Sequence, residues 1–158
     1  MKDKKQNDRP GAFPPRSPRA SLGGYVILPR LIDKVRLHAK GRLPPGYVEN
    51  LLKPGLTLDG RFLSFTGLDA EELRLAILGS PTDDAVLDWV GKNARPCPAE
   101  EKRRWAEEID AYRPAPDRAA IRARFYPDLA GRVDLAAISV FEMIDMDEGR
   151  IPIPPRRG

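Results

Sequence analysis

Apolar positions along this chain recur mostly at helical spacing, with little strict alternation. The clearest case lies in SLGGYVILPRLIDKVRLHAKG. There Leu28, Leu31, Ile32, Val35 and Ala39 fall at i, i+3, i+4, i+7 and i+11, on one helix face. Pro29 suits the first helical position, where a missing N–H costs nothing. Gly41 stands where a left-handed residue closes a helix. Arg36, His38, Lys40 and Arg42 lie at or beyond the last turn, where the helix dipole favours cations. The pair Gly23-Gly24 upstream permits a tight bend or the close approach of a ligand.

The same reading extends along the chain. A break at Leu43-Pro44-Pro45-Gly46 precedes a short helical turn over 47–52, ended by Lys53-Pro54-Gly55. Leu56 and Leu58 alternate as a short strand would, but no partner strand is evident, so a helix over 60–66 is preferred, with Asp59 as its cap and Gly67 as its stop. Asp69 with Glu72 forms an acidic capping box, and Leu68 with Leu73 the hydrophobic staple around it, predicting a helix over 70–78. Thr82 caps 83–94, and Pro98 opens a helix reaching Tyr112. Asp117 caps a helix that stops at Tyr126-Pro127, and Asp134 caps 135–146. The expected core is Leu28, Leu31, Ile32, Val35, Phe62, Leu63, Leu73, Ile77, Val86, Leu87, Val90, Trp105, Ile109, Phe125, Ile138, Phe141 and Ile144.

These elements predict an all-α fold of about six short helices packed in one small globular domain, with extended N- and C-terminal tails. Of the 158 residues, 1–15 read as a disordered basic arm, 16–150 as the helical domain and 151–158 as an extended tail. Arg16-Ser17-Pro18-Arg19 marks where the arm becomes ordered. The 17 prolines fit this plan of extended ends and well-punctuated helices. A single cysteine, Cys97, excludes an internal disulfide, and one histidine beside it leaves no conventional Cys–His metal set. The charged start carries no apolar run and no segment approaches the length of a membrane span, so a soluble, cytoplasmic protein is expected.

Charge is unevenly placed along the chain. Residues 1–42 hold eleven Lys or Arg against three Asp or Glu, and the remainder holds sixteen against twenty. Such asymmetry marks either an arm for an acidic partner or two chain ends that dock on each other. Asp145, Asp147 and Glu148 gather at a helix C-terminus, where the dipole disfavours anions. Water, N-terminal arginines or a divalent metal can each offset them, and the sequence leaves the three open. The run fails as a calcium loop, because Gly149 falls at its fifth position and Arg150 where glycine is required. Phosphate-loop, dinucleotide and nucleophile-elbow motifs are missing from the sequence. Cys97 before Pro98 at a helix start has either a lowered thiol pKa or simply a half-buried packing role.

Three functions follow as expectations. The first is a binding protein for an anionic small molecule or acidic protein partner at the Gly23-Gly24 loop, served by Arg16, Arg19, Tyr25, Arg30, Asp33 and Arg61, with the acidic cluster alongside. The second is a metal-assisted hydrolase using Asp145, Asp147 and Glu148 near Asp33 or His38. The third is a weak nucleic-acid binder through the basic arm and the cluster Arg118, Arg122 and Arg124. Whether the chain is an enzyme stays open, and no catalytic residue, metal ligand or cofactor is assigned.

The segments RSPRASLGGYVILPRLIDKVRLHAKGRLPPGYV, DGRFLSFTGLD and FEMIDMDEGR together resemble the bacterial family catalogued as domain of unknown function 5069. The resemblance spans about Arg16 to Arg150. It implies a small, mostly helical, single-domain bacterial protein and supplies no reaction, substrate or catalytic residue.

Overall fold

The computed structural model describes residues 12–155. Residues 1–11 and 156–158 lie outside that range, and with them most of the expected arm and the end of the expected tail. Within the range, Pro14, Pro15 and Pro18 are buried, and the Phe13 ring meets Tyr47 edge-on at 5.4 Å.

Two short strands, β1 (Ser21–Leu22) and β2 (Tyr25–Val26), pair antiparallel with Ser21 opposite Val26 and Leu22 opposite Tyr25. Gly23 and Gly24 join them at φ 57° and 85°, the left-handed pair that a two-residue hairpin turn demands. The expectation of a chain without paired strands is therefore corrected. Two-residue strands give too little alternation to be read from pattern. Ile27, at φ 75° and fully buried, turns the chain sharply from the hairpin into α1 (Leu28–Ala39).

Helix α1 is the axis of the molecule. It packs on α4 and on the hairpin. Its apolar stripe is buried as expected, but Arg30, Asp33 and Lys34 are buried as well. A helix enclosed on nearly all sides must find ionic partners for such residues, and this one does.

Helix α2 (Pro45–Val48) is a single turn. Helix α3 (Leu58–Thr66) starts earlier than expected, because Thr57 Oγ1, and not Asp59, caps it by accepting from Gly60 N at 3.0 Å. Asp59 thereby enters the first turn and is buried. Gly60 is required for packing: a Cβ there would lie 2.5 Å from the Gly55 carbonyl and 2.7 Å from that of Lys53. The 53–57 loop can therefore press directly on α3.

Helices α4 (Ala70–Gly79) and α5 (Asp83–Asn93) are capped by Asp69 and Thr82, as their sequences specify. Helix α6 (Ala99–Ala111) sends Trp105 inward to stack on Phe65 at 4.3 Å. Helix α7 (Pro116–Phe125) begins at its proline, with Ala115 in the capping position expected of Asp117. The short α8 (Pro127–Ala130), not foreseen, anchors a second cluster through Leu129, with Leu135, Met143 and Met146. Helix α9 (Val140–Asp147) is shorter than expected. Ser139 closes a reciprocal capping box with Glu142, whereas Asp134 only closes a turn onto Ala136 N.

The larger core surrounds α1, with Phe62, Leu73, Ile77, Val86, Ile109 and Phe141 among its members. Phe125, expected inside, is 64% exposed. The domain is thus mostly helical, as predicted, with more and shorter helices.

Candidate functional site

Residues 15–19 and 145–150 meet beside α1. Arg16 spreads its guanidinium over Asp33, with Nε to Oδ2 at 3.0 Å and Nη2 to Oδ1 at 3.1 Å, and reaches Asp83 at 2.8 Å. Arg36 joins Asp83 from the other side at 3.1 Å. Burial would drive a proton off Arg16, but the two carboxylates more than offset it and hold the guanidinium above its usual pKa.

One turn along, Arg30 forks onto both oxygens of Glu148 at 2.8 and 2.6 Å. Tyr47 Oη donates to the same carboxylate at 2.7 Å, and Arg150 Nη1 donates to it at 2.7 Å. Arg150 also binds Asp145 at 3.1 Å and donates to the Pro15 carbonyl. Ser17 Oγ donates to Asp145 at 3.0 Å, and Arg19 bridges toward Asp145 and Asp110. Arginines therefore offset two of the three carboxylates at the C-terminus of α9. Burial alone would raise the Glu148 pKa, but Arg30, Tyr47 and Arg150 together hold it low. Asp147 makes no ion pair among the described residues, and burial with the adjacent Glu148 pushes its carboxyl up.

Beside this junction lies a cleft of about 580 Å³. One wall is α2, the 53–57 loop and α3; the other is the end of α6 with α7 and α9. Two buried ion pairs contribute to its lining, Arg30–Glu148 and Lys34–Asp59. Lys34 Nζ donates to Asp59 Oδ1 at 2.9 Å, and Leu52 N donates to Oδ2 at 2.8 Å. Burial, with Arg30 nearby, holds the Lys34 ammonium below the ordinary lysine pKa against the pull of Asp59.

Lys53, Arg61, Arg118 and Arg122 add positive charge to the cleft, and Leu56, Ile121 and Phe125 an apolar flank. Arg61 lies over the Tyr112 ring at 4.9 Å. Arg122 is fixed by donating to the carbonyls of Leu135 and Ile138 at 2.8 and 3.0 Å. Tyr126 completes the wall below it, its phenol pKa raised by burial and by Asp147.

The residues singled out in the sequence divide into three places. Arg30, Arg61, Asp147 and Glu148 line the cleft. Arg16, Arg19, Asp33 and Asp145 form the ionic junction beside it, already neutralised by one another and by Asp83, Asp110 and Arg150. Gly23, Gly24 and Tyr25 belong to the hairpin. There a Cβ on Gly23 would collide with Leu87, Gly23 O accepts from Lys102 Nζ at 2.9 Å, and Tyr25 packs on Phe62.

His38 is exposed. Cys97 is half-buried, and burial with Glu101 pushes its thiol up, the reverse of activation. Among the described residues no three His, Cys, Asp or Glu are grouped to hold a metal. No described helix is long and apolar enough to cross a membrane.

Sequence reasoning missed Lys34, Tyr47 and Asp59. A signal for the first was present: Arg30 and Lys34 stand at i and i+4, so two cations share one face of α1 beside its apolar stripe.

A small helical domain with a mixed cationic and apolar cleft is the class this geometry defines. Residues 12–150 match the family described as Domain of unknown function (DUF5069), and the chain belongs to that family. No curated protein matches it.

Proposed function

We propose that this protein binds a small anionic molecule with an apolar body, and that the ligand sits in the cleft between α3 and α7. The observation carrying the reading is the charge balance of the lining: six Lys or Arg side chains against three carboxylates. Two of those cations are held by buried carboxylates, so the excess comes from Lys53, Arg61, Arg118 and Arg122. Guanidinium groups suit carboxylate and phosphate, and Ile121, Leu56 and Phe125 offer apolar surface to the rest of the ligand. This moves the expected anion site away from the Gly23-Gly24 turn, whose neighbouring arginines already face carboxylates.

Titration calorimetry with phenyl phosphate, benzoate and neutral benzamide tests the reading. Heat from an anion, its loss in Arg61→Gln/Arg118→Gln, and little from benzamide are expected. No binding of either anion beyond a matched salt control overturns it.

A further inference from the structure

Binding alone leaves one group in the cleft unused. Lys34 belongs to α1, and its side chain is only 7% exposed although it contributes to the cleft lining. An ammonium offers three donors. Nζ lies 2.9 Å from both oxygens of Asp59, which is its hydrogen-bond partner. A lysine becomes a nucleophile when it is taken out of water and set near a second cation. Both conditions hold here, with Arg30 one turn back on the same helix face and also buried. Asp59, at 2.9 Å, is in place to take the proton.

Building on the cleft reading, we propose that the ligand is a carbonyl compound bearing a carboxylate or phosphate, and that Lys34 binds it covalently as an imine. The ammonium passes a proton to Asp59. The freed nitrogen pair forms the N–C bond to the carbonyl carbon as the C=O π pair moves to oxygen. A proton then passes from the cationic nitrogen to that oxygen, giving a neutral carbinolamine whose nitrogen again carries a pair. The nitrogen pair then forms C=N as the C–O bond breaks. Asp59 returns its proton to the departing hydroxyl, and water leaves. Ammonium and carbonyl give a protonated imine and water, Asp59 ends as the carboxylate it began as, and no oxidant or reductant is needed. Arg61 and Arg118 serve the anionic end.

The test traps the adduct on the full-length chain with borohydride. Pyridoxal 5′-phosphate is the phosphate arm and 4-carboxybenzaldehyde the carboxylate arm. Their alcohol counterparts, pyridoxine 5′-phosphate and 4-(hydroxymethyl)benzoate, bind without forming an imine. Mass spectrometry reads a gain equal to the aldehyde less one oxygen, and peptide mapping places it. At limiting aldehyde, label on Lys34 should exceed that on Lys40, Lys53, Lys92 or Lys102 by about tenfold or more, because Asp59 is in place to take its proton. Lys34→Arg, which keeps the cation for Asp59, should lose that label and still bind the alcohols. Label spread evenly over exposed lysines overturns the proposal. Alcohols that bind while aldehydes leave Lys34 unlabelled overturn it and leave the cleft reading standing. If neither alcohol binds and Lys34 stays unlabelled, both readings fall.

Discussion

Arg30 and Glu148, 118 positions apart in the chain, share two hydrogen bonds of 2.8 and 2.6 Å with both side chains almost out of water. Removing one member strands the other. Arg30→Met leaves Glu148 with Tyr47 and Arg150 but without its bidentate partner, and should destabilise the fold by about 3–5 kcal/mol. Arg30→Met/Glu148→Leu removes both charges and should cost clearly less than the two single changes added together. Urea denaturation of the four chains measures the coupling; additive losses would mean that the pair is not a unit.

The same carboxylate sets a pH dependence. The Glu148 pKa is lowered in the fold, so its stabilisation is complete above the unfolded glutamate value and is lost as pH falls through the lower folded value. Asp147 has the opposite sign: its pKa is raised, so its contribution improves as pH falls from neutrality through that raised value. Asp147→Asn should therefore match or exceed the wild type in stability at neutral pH and lose the gain on mild acidification. Glu148→Gln should flatten the loss at lower pH. Melting temperatures across pH 3–8 compare the three, and a steeper acid loss in Glu148→Gln would contradict the assignment.

Gly60 should separate packing from helix propensity. Alanine normally favours a helix over glycine by about 1 kcal/mol. At position 60 the added methyl would meet the Gly55 and Lys53 backbone, so Gly60→Ala should destabilise by roughly 1–3 kcal/mol despite that gain. At Gly79, where a Cβ meets open space, the same change should be neutral or stabilising. Denaturation midpoints of the two variants should move in opposite directions, or at least differ clearly.

Such contrasts show which parts of the fold could be read in the sequence. Asp69, Thr82 and Gly67 act within one helical turn, so their neighbours in sequence are their partners in space. The start of α9 misled because Asp134 and Ser139 both offer caps; Ser139 wins through its reciprocal bond with Glu142, a spacing that was present to be seen. Phe125 misled because its helical period matched a buried face, while α7 presents that residue to the cleft and solvent. Charge asymmetry left two readings open, an arm for an acidic partner or docking within the chain, and the bonds of Ser17 and Arg19 to Asp145 are of the second kind. The cleft itself was hidden. Lys34 and Asp59 stand on different helices, and only tertiary packing makes one pair of them.

The last prediction distinguishes cleft cations from surface ones. Arg118 and Arg122 are one turn apart on α7 and both line the cleft, whereas Arg124 on the same helix does not. Arg118 is exposed, so reversing it changes the field at the cleft while disturbing little packing. Arg118→Glu should weaken phenyl phosphate binding by roughly tenfold, the equivalent of about 1.4 kcal/mol, with stability nearly unchanged. Arg122→Glu should weaken it too, but also destabilise, because Arg122 ties α7 to the carbonyls of Leu135 and Ile138. Arg124→Glu makes the same change in net charge and should leave affinity within about twofold, because a solvated charge outside the cleft is screened over a Debye length of about 8 Å. Calorimetry and thermal melts on the three variants decide the matter. Equal losses of affinity in all three would assign the attraction to overall charge, and the cleft would lose its claim to the ligand.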